Sequence, residues 1–205
     1  GTDIYKVERN EKGLWGKPVN VGKKINTEGN EKSPFIHTDS QTLYFSSGPR
    51  LDYEYNIYEG HRGLGGYDIF YYRLNEDWRA PKNLGFPINS GEDDLGFFVS
   101  TDGKTGYFAS NKLEGSGGWD LYQFDLYEEA QPQPVLLVKG NIKDEDDIPI
   151  VSASLELKNV KTEKVTLINI DTITGKYAAA TIFRDDQVLT MKKKDHIYQS
   201  RYLSK

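Results

Sequence analysis

Apolar and polar residues alternate over short runs along most of this chain. Tyr44-Phe45-Ser46-Ser47 and Asp68-Ile69-Phe70-Tyr71-Tyr72 are examples: both are aromatic, partly alternating and bounded by Gly, Asp, Asn or Ser. Runs of this kind are typical of β-strands, and no longer stretch shows the period of a helix. The pattern therefore predicts an all-β protein with almost no helix.

The runs belong to a repeat. Three segments share the order Gly, any residue, Asp, Ile or Leu, aromatic: Gly1–Tyr5, Gly66–Phe70 and Gly118–Tyr122. Trp15 and Trp78 are 63 positions apart, and so are Tyr44 and Tyr107. Self-similarity at a fixed period indicates an array of supersecondary units.

The repeat resembles a known family. The order Phe-x-x-(Thr/Ser)-Asp-x-x-Thr-x-Tyr-Phe-(Ser/Ala)-Ser, followed by Gly-Gly-(Tyr/Trp)-Asp-(Ile/Leu)-(Phe/Tyr), is similar to the TolB-type, WD-like propeller repeat over roughly residues 1–127. The resemblance implies an incomplete β-propeller of about two and a half blades in residues 1–130. Closed propellers have about four to eight blades. We therefore expect a fragment, or remaining blades or a neighbouring chain against the N-terminal strand edge.

A second domain follows a proline-rich linker. Pro132 and Pro134 predict the linker at residues 131–134, because proline excludes a regular strand interior. Residues 135–205 are richer in Val, Ile, Leu, Thr and Lys. Antiparallel strands in a small β-sandwich fit their pattern. The predicted strands are 135–142, 153–158, 164–168, 176–182 and 188–192.

This second part resembles the carboxypeptidase regulatory-like (transthyretin-like) domain. The resemblance rests on Val138–Ile142, on Pro149 with Ala153 and Leu155, and on Thr174–Tyr177. Such domains are spacers and adhesion modules without activity of their own. The two resemblances together are those of OmpA-family cell-envelope proteins of Bacteroidota, such as the PorE-type component of the type IX secretion machinery. They imply a periplasmic, outer-membrane-associated protein whose partners are other envelope or secretion-system proteins.

Charge and composition exclude some functions. The net charge is −5, and residues 1–130 hold 14 Lys and Arg against 21 Asp and Glu. This acidic region argues against a nucleic-acid partner. No apolar run is long enough to span a bilayer, so direct membrane insertion is not expected. Cysteine is absent, which excludes disulfide and thiolate chemistry.

The repeated aspartates invite a catalytic interpretation, but their positions favour a structural one. Asp39, Asp68, Asp102 and Asp120 recur at equivalent points of the repeat, and Asp102 is followed by Gly103 in a strong hairpin signal. Catalytic residues converge on one place, whereas structural residues repeat. We therefore expect structural turn and repeat roles and no catalytic residue.

Other potential ligands lack the spacing of a metal site. His37, His61 and His196 lie in three different segments. The run 144–147 (Asp-Glu-Asp-Asp) offers oxygen ligands for calcium, but it lacks the Gly and distal Glu of an EF-hand loop. A solvated turn is the favoured interpretation of this run. No metal or cofactor is expected.

One insertion distinguishes the first full repeat. Ser47 and Asp68 are 21 positions apart, whereas their counterparts Ser110 and Asp120 are only 10 apart. Tyrosine and arginine are enriched at interface hot spots, and long loops on rigid scaffolds often carry recognition. The candidate partner-binding residues are Tyr53, Tyr55, Tyr58, His61 and Arg62. The alternative is that these side chains cover a strand edge or the seam between the domains.

The expected function is a non-enzymatic protein-binding or scaffold segment of the cell envelope. Two alternatives stay open: a glycan- or peptidoglycan-binding module, and a fragment of a sialidase-like carbohydrate-active propeller. The run Ser100–Thr105 resembles the Asp-box turn of sialidases, but that turn occurs in many propellers. An enzyme would show acids and arginines grouped in one concave pocket.

Overall fold

The computed structural model describes residues 1–10, 14–111, 117–144, 146–150, 152–182, 185–193 and 199–204. These residues are all-β apart from one 3₁₀ turn, Glu128–Ala130, which confirms the prediction of an all-β chain with almost no helix. The chain divides into two compact units, Gly1–Pro132 and Gln133–Lys205. The boundary falls inside the segment 131–134 that the sequence assigns to a linker.

The described residues of the first unit form eleven strands. They are β1 (Tyr5–Lys6), β2 (Val19–Asn20), β3 (Asn30–Ile36), β4 (Thr42–Gly48), β5 (Arg50–Leu51), β6 (Ile57–Tyr58), β7 (Asp68–Arg73), β8 (Lys82–Asn83), β9 (Asp94–Val99), β10 (Thr105–Ser110) and β11 (Asp120–Asp125).

These strands form two larger antiparallel sheets and two small pairs. The four-stranded sheet has the order β3-β4-β7-β8, and the three-stranded sheet has the order β11-β10-β9. Strands β1 and β2 form the N-terminal pair, and β5 and β6 form a hairpin inside the insertion. Consecutive strands are neighbours in each sheet, apart from the insertion between β4 and β7.

The central strands of the four-stranded sheet, β4 and β7, are buried on both faces. Successive side chains of a strand point to opposite faces. On β4, Tyr44 therefore packs with Phe97 and Phe108 of the three-stranded sheet, while Phe45 packs with Ile4 beside the N-terminal pair. Every residue of β4 is consequently buried, including its polar ones.

Two of the repeated aspartates lie in hairpin turns, as predicted. The Asp39 carboxylate accepts hydrogen bonds from the Gln41 and Thr42 N–H groups, at 2.8 and 2.9 Å. Asp102 occupies the corresponding turn between β9 and β10, where it accepts a hydrogen bond from the Lys104 N–H. The residue after each aspartate has a positive φ, 57° at Ser40 and 79° at Gly103. Glycine suits this conformation because it has no Cβ.

The other two aspartates begin strands rather than turns. Asp68 is the first residue of β7, and Asp120 is the first residue of β11. Their shared position in the repeat therefore reflects the start of an equivalent strand, and their surroundings differ as described below.

A buried asparagine recurs where one strand pair meets the next sheet. The Asn89 side chain accepts from the Ile69 N–H and donates to the Ile69 carbonyl oxygen, both at 2.8 Å. Asn26 makes the same two bonds to Ile4, at 2.9 and 3.0 Å. Each asparagine side chain thus makes the two hydrogen bonds that a neighbouring strand would make to this residue. The buried N–H and carbonyl groups of Ile4 and Ile69 are therefore paired.

The second unit contains two sheets around a smaller core. Its strands are β12 (Val135–Asn141), β13 (Ser154–Asn159), β14 (Val165–Ile168), β15 (Lys176–Ile182), β16 (Gln187–Lys192) and β17 (Gln199–Leu203). Strands β12 and β15 form one sheet, and the other has the order β14-β13-β16-β17. Val138 and Ala179 from the first sheet contact a cluster that includes Leu155, Leu157 and Leu189 from the second.

The predicted strands of this unit are present to within one residue, but β17 was not predicted. Its sequence Gln-Ser-Arg-Tyr-Leu places only two apolar residues side by side at the end, so the alternation of a half-buried strand is missing. Backbone pairing with β16, from Gln187 to Met191, holds this segment as a strand although its sequence does not alternate.

Candidate interaction site

The insertion between β4 and β7 folds into a short hairpin. Arg50 pairs with Tyr58, and Leu51 pairs with Ile57, in antiparallel register. Isolated two-stranded hairpins are at best marginally stable in water, so further contacts are needed to hold this one. The hairpin obtains them at its turn and at its base.

Asp52 organises the hairpin turn. Its carboxylate accepts hydrogen bonds from the Asn56 side chain, from the N–H groups of Glu54 and Asn56, and from the Tyr58 hydroxyl, at 2.9 to 3.1 Å. These donors favour the charged form, with the Asn56 side chain and N–H contributing most, and they lower the pKa of Asp52 to about 2. The turn is therefore fixed by an ionised carboxylate.

We predict that this turn is lost only at a pH well below the ordinary pKa of an aspartate. Because the folded pKa of Asp52 lies below its ordinary value of 3.8, its contribution is complete above pH 3.8. That contribution is lost as the pH falls toward about 2. Carboxyl ¹³C chemical shifts should place the Asp52 midpoint near pH 2, with a parallel change in the Asn56 amide. A midpoint near 3.8 would contradict the proposed turn.

The hairpin presents four exposed apolar or aromatic side chains. Tyr53 is fully exposed and Tyr55 is 86% exposed, while Leu51 and Ile57 are 65% and 63% exposed. Leu51 and Ile57 are paired across the hairpin, so their side chains share one face next to the turn. Tyr55 has a φ of 63°, which is unusual for an aromatic residue and places its ring at the turn. We call these four residues the hairpin tip.

Tyr58 belongs to the opposite face of the hairpin. The Arg50 guanidinium lies 3.9 Å above its ring, and the Tyr58 hydroxyl donates to Asp52. Tyr58 therefore stabilises the hairpin, while Tyr53 and Tyr55 remain available at the surface.

His61 anchors the base of the insertion. Its ring lies 5.8 Å from the Phe45 ring and 5.4 Å from the Phe70 ring. The Nε2 group bonds the Ile25 carbonyl oxygen at 2.7 Å, and the His61 peptide N–H donates to the Ser47 hydroxyl. His61 is therefore a packing residue, whereas Arg62 is exposed.

A cleft of about 430 Å³ lies beside this base. Its lining includes the glycine-rich segment 63–66 with Glu59, Arg62 and Asp68. Asp68 is buried under this segment and accepts hydrogen bonds from the N–H groups of Leu64 and Gly65. The insertion is thus held at its far end by the first residue of β7.

The remaining candidates have structural surroundings. His37 is buried, and its Nε2 group bonds the Ser100 carbonyl oxygen at 3.2 Å. Asp144 accepts from the N–H groups of Asp146 and Ile148, as expected for a turn. Residue 145 of this acidic run and His196 lie outside the described residues. Within the described part of the chain, no three His, Cys, Asp or Glu side chains are grouped as metal ligands.

Comparisons with protein-family models, curated proteins and solved structures give no match for this chain. Among the described residues, no helix has the length and apolar character needed to cross a bilayer.

The structure divides the five predicted partner-binding residues. Tyr53, Tyr55 and Arg62 are exposed, whereas Tyr58 and His61 are engaged within the insertion. Sequence reasoning missed Leu51 and Ile57. Their signal is weak because each lies in a strand of only two residues, too short to show alternation.

Proposed function

We propose that this chain is a non-enzymatic protein-binding or scaffold segment, and that the hairpin tip is its recognition element. The observation that carries the proposal is the exposure of Leu51, Tyr53, Tyr55 and Ile57 on a turn fixed by Asp52. Rigid aromatic side chains lose little conformational entropy on binding and are enriched at hot spots. A projecting tip of this shape suits a concave apolar site on a partner.

We further propose that the sheets of the first unit are propeller blades, about two and a half in number. The supporting observations are the 63-residue repeat, the meander order β3-β4-β7-β8 and the face-to-face packing of consecutive sheets. In this interpretation β1 and β2 are the outer strands of a further blade. The free side of β1 is the edge for remaining blades or a neighbouring chain. The two sheets of the second unit form a small β-sandwich.

The cellular placement rests on the sequence resemblance alone. We propose a periplasmic, outer-membrane-associated protein of the OmpA-family type, whose partners are cell-envelope or type IX secretion proteins. Neither nucleic-acid binding nor direct membrane insertion forms part of this proposal. The chain acts by presenting the hairpin tip on a stiff frame, while the second unit serves as a spacer.

Glycan binding is the second candidate, and one observation favours it. Tyr53 and Tyr55 are solvent-exposed aromatic rings on a fixed turn, and aromatic faces are common platforms for sugar rings. The carbohydrate-active enzyme has less support, because the cleft beside the insertion contains one arginine, Arg62, and its aspartate, Asp68, is buried.

A cross-linking experiment tests the favoured function. A photoreactive amino acid at position 53 should capture a specific envelope protein, and the double variant Y53A/Y55A should bind that purified protein about 10–100-fold more weakly. The matched control is L121A, because Leu121 is 84% exposed on β11 and lies outside the insertion. Equal affinity for Y53A/Y55A and wild type, with both folded, would refute the role of the tip. Binding of a glycan array by wild type but not by Y53A/Y55A would favour the second candidate.

A further inference from the structure

Two buried carboxyl groups lie where the four-stranded and three-stranded sheets meet. Asp68 begins β7, Asp94 begins β9, and each is only 1% exposed. The Asp94 N–H donates to the carbonyl oxygen of Tyr67, at 2.7 Å, so the two aspartates lie on adjacent backbone segments. Among the described residues, neither carboxyl group forms an ion pair.

Each of these carboxylates accepts its described hydrogen bonds through one oxygen, Oδ2. The Oδ2 atom of Asp68 accepts from two peptide N–H groups of the glycine-rich segment. The Oδ2 atom of Asp94 accepts from the N–H and the hydroxyl of Ser90. Both Oδ1 atoms are buried without a hydrogen bond of normal length in the described part of the chain. The Asn83 amide lies near the Asp68 carboxyl group and the Ser110 hydroxyl near that of Asp94. Donors that fix one carboxylate oxygen and orient the other are the usual surroundings of a metal-ligating carboxylate.

Two counterparts elsewhere in the repeat have hydrogen-bonded carboxylates. Asp3 is exposed, and its carboxylate accepts from the Asn20 amide. Glu31 is the counterpart of Asp94, and its two oxygens accept from the Thr27 N–H and hydroxyl and from the Ser47 hydroxyl. The buried Oδ1 atoms therefore distinguish Asp68 and Asp94 from Asp3 and Glu31.

Neither buried carboxyl group at this junction has a described basic side chain to balance its charge. Glu92 and Asp93 on the segment before β9 and Glu59 on the insertion add further acidic groups. Lys32, whose ammonium group lies 4.3 Å above the Tyr67 ring, and His61, which lines the adjoining cleft, form no ion pair with Asp68 or Asp94 among the described residues. Arg62 is the basic side chain of the adjoining cleft, and it is exposed. Buried charges are normally paired or bound to a metal.

We propose that the Oδ1 atoms of Asp68 and Asp94 bind a divalent cation, for which Ca²⁺ is the best fit. Ca²⁺ accepts a mixture of carboxylate, carbonyl and water oxygens in flexible geometry. The cleft lined by residues 63–66 and Asp68 provides access on one side. The Ser110 hydroxyl, a hydrogen-bond donor to the Asp94 carboxyl group, places a neutral oxygen on the other side. With only two carboxylates, the expected dissociation constant is roughly 10⁻⁴–10⁻³ M.

Calcium-dependent stability tests this site, independently of any partner. Wild-type protein in about 5–10 mM CaCl₂ should melt about 5 °C higher than in EDTA, and isothermal titration should show one site per chain. D68N and D94N should remove both effects. D3N, which changes the exposed counterpart, should retain them. Titration of wild type decides the question even if D68N or D94N does not fold.

Two outcomes would overturn the cation site. The first is a wild-type melting temperature that is insensitive to Ca²⁺ but rises on mild acidification, which would assign the compensating charge to a proton. The second is an equal Ca²⁺ response in wild type, D94N and D3N, which would locate binding elsewhere. Either result leaves the role of the hairpin tip untouched, because that role is measured by partner affinity.

Discussion

Replacing Asn89 with alanine should lower the free energy of unfolding of the first unit by about 3 kcal/mol. The Asn89 side chain is fully buried and bonds the N–H and carbonyl oxygen of Ile69 and the side-chain oxygen of Asn83. Alanine leaves the Ile69 N–H buried without an acceptor. The Ile69 carbonyl oxygen keeps a bond from the Leu84 N–H, so the loss is less than that of two orphaned groups.

Tryptophan fluorescence during urea unfolding measures this loss. All three tryptophans, Trp15, Trp78 and Trp119, lie in the first unit, so the signal reports that unit alone. The matched variant is N26A, which removes the same pair of bonds from Ile4. Asn26 is 8% exposed beside the two-stranded N-terminal pair, so N26A should cost less, about 1–2 kcal/mol. Equal losses of unfolding free energy in N89A and N26A would show that the burial of the asparagine does not determine the size of the loss.

The equivalence of Asn26 and Asn89 could be predicted from sequence, but their function could not. The 63-residue offset aligns the two asparagines directly. Their bonding partner lies 20 or more positions earlier in the chain, on a strand that the alignment treats as a separate motif. A repeat shows which residues are equivalent, whereas only the packing of consecutive sheets shows which backbone groups each residue satisfies.

The three copies of the Gly-x-Asp motif show why equivalence in sequence does not fix environment. Asp3 is exposed, Asp120 is half-buried and Asp68 is buried. Asp68 is buried because the insertion folds back so that Leu64 and Gly65 cover it. The sequence reveals the length of that insertion, but its return path depends on contacts that no local pattern encodes.

In the hairpin, too, the sequence alone does not determine which side chains are exposed. Sequence composition singled out three tyrosines within six positions, Tyr53, Tyr55 and Tyr58, as one recognition group. Strand register decides between them, because pairing with Arg50 places Tyr58 on the face that closes over Asp52. A one-residue change of register would reverse the faces. Two-residue strands carry too little alternation to predict that register.

Substitution of Gly63 by alanine should destabilise the first unit by about 3 kcal/mol and release the base of the insertion. A Cβ atom at Gly63 would overlap the Asp68 carboxylate, whose own Cβ atom lies 3.1 Å away. Asp68 is only 1% exposed and cannot retreat. The glycine-rich segment must therefore move outward, which removes the N–H donors of Leu64 and Gly65 from a buried carboxylate.

Gly91 provides the matched control. A Cβ atom at Gly91 meets no other atom within 4 Å, and its φ is not positive, so G91A should change stability by less than about 0.5 kcal/mol. Urea unfolding compares the two variants, and hydrogen exchange at the Leu64 amide should accelerate in G63A only. Similar unfolding free energies and Leu64 exchange rates in G63A and G91A would mean that the glycine-rich segment moves outward without loss of stability. Because the hairpin tip depends on this anchor, G63A should also weaken partner binding, although Gly63 lies outside the tip. Unchanged affinity in a destabilised G63A protein would show that the Asp52 turn alone orders the recognition element.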